Sequence, residues 1–199
     1  MNQRTVIVPG TVIERITLQT AKASIHIAQS APGDIAVETS GIVLAIAGGG
    51  TFPPNHPICR EVQSLAQKVA ASGGIIVNGG TMLAAAEVAP DITVGVACPY
   101  HKLIPFGKKA LVSNYQSRKM IISAMPHVVA FEGQVGTLDE LTTTIGWIKS
   151  LTKQGNSPPE LWAQNYWREL IKFLSKKKAV QHNVLMHIHS FSHVHKITF

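Results

Sequence analysis

The chain has 199 residues, 45% of them hydrophobic, which is enough to bury one substantial core and suggests a single domain with added terminal material. No apolar run approaches the roughly 20 residues needed to cross a bilayer, and the opening MNQRTVIVPG lacks the apolar core of a secretory leader, so a cytoplasmic protein that does not engage a membrane is expected. A formal net charge of +7 suits an anionic ligand and also allows non-specific nucleic-acid contact, and charge alone does not choose between them.

Residues 1–40 alternate in TVIVPGTVIERITLQT and AKASIHIAQS, which reads as a β extension, a hairpin or arm before the core. From about residue 41 the pattern changes to short β-branched runs separated by helical spacing. IVLAIA at 42–47 reads as a buried strand. Ile58, Val62, Leu65 and Val69 then recur with helical period, and SGG closes that helix. IIVN is a second strand, followed by a short Ala-rich helix that Pro90 stops; ITVGVA is a third. A loop through CPYHKLIPFGKK precedes a helix around YQSRKMIISAM, HVVAFEG is a fourth strand, and Leu138, Leu141, Ile145 and Ile148 line one face of the next helix. Repeating strand and helix units of this length imply parallel strands joined by right-handed crossovers. The expected architecture is a Rossmann-like three-layer α/β/α sandwich with a mainly parallel sheet and added β segments at the termini.

TKQGNSPPE reads as a linker and LWAQNYWRELIKFLSKKK as a final helix turning Leu161, Trp162, Tyr166, Leu170 and Phe173 towards the protein. Its Lys172, Lys176, Lys177 and Lys178 suit a solvated helix C-terminus. The divisions expected are 1–40, 41–178 for a nucleotide-binding core, and 179–199 for a histidine-rich strand or tail. In that tail His187, His189, His193 and His195 would share one face of a strand; neighbouring imidazoles there could share a transition metal, but a solvent-facing edge strand or tail is the reading adopted, with no metal or cofactor assigned. Cys59 and Cys98 lack metal-ligand spacing and read as small buried hydrophobes.

Open parallel sheets bind ligands beyond the carboxyl ends of their strands. Three glycine clusters fall there: Gly48, Gly49 and Gly50 after the first strand, Gly79 and Gly80 after the second, Gly133 and Gly136 after the fourth. A glycine lets backbone N–H groups approach a ligand without a Cβ in the way, so their shared edge marks a pocket. In VGTLDEL, Thr137 with Glu140 three residues later has the spacing of a capping box, which explains that pair without any function. A helix N-terminus also binds anions, so the same turn can start a helix and hold a phosphate.

The run SRKMIISAMPHVVAFEGQVGTLDEL, together with VNGGTMLAAAEVA, resembles the Lonely Guy family, often labelled lysine-decarboxylase-like, over roughly residues 41–151. In that family an Arg-Lys pair on one helix precedes a strand and a P-G-G-x-G-T-x-x-E turn. The resemblance implies cleavage of the N-glycosidic bond of a nucleoside 5′-monophosphate to free base and ribose 5-phosphate, by a homodimer. Carried over by position, Arg118 and Glu140 would form the catalytic pair, and Gly133, Gly136 and Thr137 would hold the phosphate. Gly79, Gly80 and Thr81 would line the nucleotide site with Gly48 and Gly49. This chain departs from the pattern at Glu132 and Gln134. A carboxylate at Glu132 repels a phosphate unless Lys119 or another cation compensates, whereas the Gln134 amide can itself donate to a phosphate oxygen. Those two residues favour the alternative, a non-catalytic module for a nucleotide-derived ligand or the molybdenum cofactor; a nucleic-acid partner on the basic face is a third reading. The family's next strand is not evident in TKQGNSPPELW.

Overall fold

The computed structural model describes residues 3–48, 52–79, 83–99 and 107–199. Its larger sheet is built from β6 (Val43–Ala47), β7 (Ile75–Asn78), β8 (Thr93–Ala97), β9 (Lys108–Val112), β10 (His127–Ala130), β11 (Glu160–Gln164) and β12 (Ile188–Phe191), all parallel, in the order β12-β11-β10-β6-β7-β8-β9. β2 (Val12–Glu14) closes the β9 edge antiparallel. The order reverses between β6 and its neighbours, since the chain runs outward from β6 to β9 and then returns to β10. That is where a doubly wound sheet opens a crevice at its carboxyl edge.

The central strands are buried on both faces and therefore read as continuous apolar runs rather than alternating ones. α1 (Pro57–Ala71) and α2 (Leu83–Val88) cover one face. Ile58, Val62, Leu65 and Val69 pack there on Leu44, Ile46, Ile76 and Val129. α1 begins at Pro57, whose missing N–H is no loss in a first turn, and Gly73 closes it at φ +73° with its N–H on the Ala70 carbonyl. α3 (Tyr115–Ser123) and α4 (Val135–Lys153) cover the other face, where Ile121, Ile122, Leu141, Ile145 and Ile148 meet the alternate residues of the same strands. The three-layer Rossmann-like arrangement is thus the one the alternating pattern implies.

The first forty residues form more than a hairpin. β1 (Gln3–Pro9), β3 (Ile16–Gln19), β4 (Ser24–Ala31) and β5 (Asp34–Ser40) make a separate antiparallel sheet in the order β1-β5-β4-β3. Its inward residues Val6, Val8, Ile25, Ile27, Ile35 and Val37 join the core on the α3 and α4 side. Ser117 Oγ donates to the Pro9 carbonyl at 2.8 Å. Gly10 lies so close that a Cβ would stand 2.0 Å from Ser117 Oγ.

Three sequence expectations need correction. The strand not evident after α4 is β11: Pro158 and Pro159 enforce extended backbone ahead of it, and Leu161 and Ala163 point into the core. Four of its five residues, Leu161 to Gln164, fall in the expected final helix and Glu160 in the expected linker; the helix itself is only α5 (Arg168–Lys176). Tyr166 and Phe173, expected to face the protein, are each 56% exposed. β9 was hidden in the expected loop because Lys108 and Lys109 open it with a polar start on the sheet's flank. The histidines do not share one strand, since β12 ends at Phe191 and His193 and His195 lie in and beside a 3₁₀ turn. Instead Nδ1 of His187 and Nε2 of His189 each lie 2.7 Å from one oxygen of Glu160, while His193 faces Glu61 at 3.4 Å. Among the described residues no group of three or more His, Cys, Asp or Glu is arranged to hold a metal ion, and no helix is long and apolar enough to cross a membrane.

Candidate functional site

The carboxyl edge of β6, β7 and β10 brings together most of the residues that the sequence singled out; Gly49, Gly50, Gly80 and Thr81 lie outside the described residues. Arg118 sits one turn into α3, which Asn114 starts by accepting the Ser117 N–H at 2.9 Å. Arg118 is only 6% exposed. Its Nε and Nη2 donate to the Gly79 carbonyl at 3.1 and 3.0 Å, a fork closed on one oxygen at the end of β7. Gly79 is required by this approach: a Cβ there would lie 1.6 Å from Nη2. The third nitrogen, Nη1, faces Glu140 Oε1 at 3.6 Å, close enough to pair and too long for a firm hydrogen bond.

Glu140 projects from the second turn of α4 and is 7% exposed. Burial penalises its charge and pushes its pKa up to about 7; Arg118 opposes this, Asp139 adds to it and Lys119 opposes it less. A carboxylic acid poised near neutrality beside a fixed guanidinium can hold or release a proton at the pH of the cell. Lys119, expected near the phosphate, pairs instead with Asp139 at 3.0 Å and ties α3 to α4.

The turn between β10 and α4 is built differently from a capping box. α4 starts at Val135, two residues before Thr137, and its N-cap, Gln134, makes no side-chain cap bond. Thr137 is therefore the third residue of the helix. Its side chain is buried between two glycines: a Cβ on Gly133 would stand 2.1 Å from its Oγ1, and one on Gly48, at φ +90°, 3.1 Å from its Cγ2. Gly48 and Gly133 thus serve close packing around Thr137. The Thr137 and Leu138 N–H groups both reach the Gln134 carbonyl, and the Glu132 N–H is taken by the Gln164 side chain at 2.7 Å. The N–H groups of Gly133, Gln134, Val135 and Gly136 have no acceptor among the described residues. They lie in four consecutive exposed or half-exposed residues at a helix N-terminus, the kind of N–H cluster that anions favour.

Residues outside the motif complete the site. Trp167 Nε1 donates to the Phe131 carbonyl at 2.8 Å, and with Gln164 it fixes the backbone leading into the turn. Neither was legible without β11. Tyr115, three residues before Arg118 and so on the same helix face, places its ring 5.5 Å from the guanidinium carbon. That spacing was the available signal for it.

A family model described as "Possible lysine decarboxylase" matches residues 65–198. Among solved structures, the molybdenum cofactor carrier protein from Chlamydomonas reinhardtii is similar with a TM-score of 0.57 and 17% identity, covering 77% of this chain and 91% of that one. The X-ray structure of TM1055, a structural-genomics target, gives 0.53 and 14%, covering 78% and 95%. Comparison with curated protein sequences produced no match.

Proposed function

We propose that this chain, which belongs to the possible lysine decarboxylase family, hydrolyses the N-glycosidic bond of a nucleoside 5′-monophosphate, releasing free base and ribose 5-phosphate. The observation that carries the reading is the buried Arg118 and Glu140 pair, 3.6 Å apart, beside a helix N-terminus with four open amides. The phosphate would lie on the N–H groups of Gly133 to Gly136, with the Gln134 side chain as an added donor. That places the sugar towards Glu140. Glycosidic cleavage passes through a cation-like ribose, so ionised Glu140 stabilises the developing charge and orients water. Arg118, held rigid by Gly79, offers fixed positive charge to the departing base or the ribose hydroxyls. The family resemblance also implies a homodimer, which sedimentation would test.

A second reading, a non-catalytic carrier of a nucleotide-derived ligand, draws on Glu132 and Gln134 in the turn and on the Arg118 fork already committed to Gly79. The similarity to a molybdenum cofactor carrier is a likeness of fold and adds the idea of such a ligand, not its identity. The deciding experiment incubates the purified chain with a panel of nucleoside 5′-monophosphates and reads free base by chromatography. Free base that disappears in Glu140→Gln supports the glycosidase. Tight retention of a nucleotide with no free base supports the carrier.

A further inference from the structure

Helix α5 carries a surface that the candidate site does not use. Leu170, Ile171 and Leu174 pack its inner side on the core, and Trp167 just before it is buried. The outer side holds Tyr166 and Phe173, each 56% exposed. Seven residues make about two helical turns, so the two rings stand on one line, roughly 11 Å apart along the axis. Cations border that line on both sides. Lys172 and Lys176, four residues apart, occupy the adjoining row, and Lys177 Nζ lies 6.0 Å from the centre of the Phe173 ring. Residues 168–178 contain five cations and one carboxylate, Glu169, in a chain whose net charge is +7. Glu169 pairs with Lys172 at 2.8 Å, but both side chains are exposed and solvent screens the contact.

A helix C-terminus accounts for lysines at its last turn. It does not account for Arg168 and Lys172, nor for two large rings left facing water on the same line. Cations flanking exposed aromatic rings suit single-stranded nucleic acid, whose phosphates the lysines can track while the rings stack on unpaired bases. A duplex hides its base faces and would engage the charge alone. An anionic lipid surface would need the apolar side of the helix, which Leu170, Ile171 and Leu174 turn into the protein.

We propose that α5 and the turn before it form a docking surface for single-stranded nucleic acid, with Phe173 and Tyr166 stacking on bases and Lys172, Lys176 and Lys177 meeting the phosphates. The surface does not depend on the nucleotide cleavage proposed above.

The test is fluorescence anisotropy of a labelled oligothymidylate of about 16 nucleotides, titrated with the full chain over a range of salt concentrations. Two variants accompany it: Phe173→Leu, and Lys172→Gln, Lys176→Gln and Lys177→Gln together. All four side chains are exposed, so both variants should keep the fold, which circular dichroism checks. The single strand should bind more tightly than a duplex of equal length. Phe173→Leu should weaken binding about tenfold without changing its salt dependence. The triple variant should reduce the slope of log affinity against log salt by about two. No binding at low salt, equal affinity for the duplex, an unaffected Phe173→Leu variant or an unchanged slope in the triple variant each overturns the proposal. So does binding to phosphatidylserine vesicles with none to the strand, which would make the surface a lipid contact. Displacement of the strand by a nucleoside 5′-monophosphate also overturns it, by placing the strand in the site between α3 and α4.

Discussion

Glu140 should make the protein less stable at alkaline pH, and Glu140→Gln should remove that loss. Its folded-state pKa is raised from 4.5 to about 7, chiefly by burial. For an acid shifted upward, the folded state binds the extra proton. The penalty is therefore absent below about pH 4.5, grows as pH rises through the interval, and is complete above about 7. At about 1.4 kcal/mol per pH unit, the interval corresponds to roughly 3 kcal/mol, an order-of-magnitude figure that already includes the attraction of Arg118. Glutamine resembles the protonated acid, so Glu140→Gln should match wild type near pH 4 and exceed it by up to about 3 kcal/mol near pH 8.5. Urea unfolding of both proteins at the two pH values measures this directly, because every other titrating group is common to the pair and cancels in the difference. A stability gap that does not change with pH, or a variant less stable than wild type at pH 8.5, would refute the reasoning. It would mean that Glu140 is ionised at little cost, with Arg118 outweighing its burial.

The same titration governs catalysis under the proposed function: kcat/KM for nucleoside monophosphate cleavage should rise as pH passes through about 7, in step with ionisation of Glu140. An activity that falls over that range in pH-rate profiles would assign Glu140 the acid role instead. Gly79→Ala should displace the Arg118 side chain, since the new methyl would stand 1.6 Å from Nη2, and should lower turnover at least a hundredfold while the fold is retained by circular dichroism. Glu160 should matter to the C-terminal strand: burial raises its pKa, but the hydrogen bonds from His187 and His189 outweigh this and hold it below its ordinary value. Its contribution is then present above the ordinary carboxylate range and lost as pH falls through the lowered value. Glu160→Gln should speed amide exchange at residues 188–191, and unchanged exchange would count against the clasp.

What the sequence made legible was whatever depends on local rules. Continuous apolar strands, helical spacing and glycines at strand ends located β6, β7, β8, β10 and the helices between them, because burial on both faces leaves an unmistakable composition. Arg118 and Glu140, named together from the family resemblance, lie 3.6 Å apart, and their catalytic role belongs to the proposal. What escaped depends on tertiary placement. β11 has the letters of a helix start, and only the open edge of β10 and the two prolines before it make it a strand. Thr137 has the spacing of a cap, yet close packing with Gly48 and Gly133 draws it into the helix and moves the N-terminus back to Gln134. The consequence is functional as well as structural: with no side-chain cap, the helix leaves its first amides open.

The N-terminal sheet and the C-terminal strands converge on the two elements that form this site. The N-terminal sheet meets α3 where Gly10 lies against Ser117, whose hydroxyl donates to Pro9, one residue before Arg118. On the far side, β11 and the 3₁₀ turn after it supply Gln164 and Trp167 to the backbone of Phe131 and Glu132, and β12 sets Phe191 edge-on against the Phe131 ring at 5.6 Å. A buried ion pair and an uncapped helix start both cost stability. Such features persist where the surrounding structure over-determines them. Gly10→Ala, which would push a Cβ to 2.0 Å from Ser117 Oγ, separates support from chemistry. If the N-terminal sheet braces α3, the variant should lower kcat for nucleotide cleavage at temperatures well below its own melting temperature. If the sheet only adds core, stability should fall and kcat should hold.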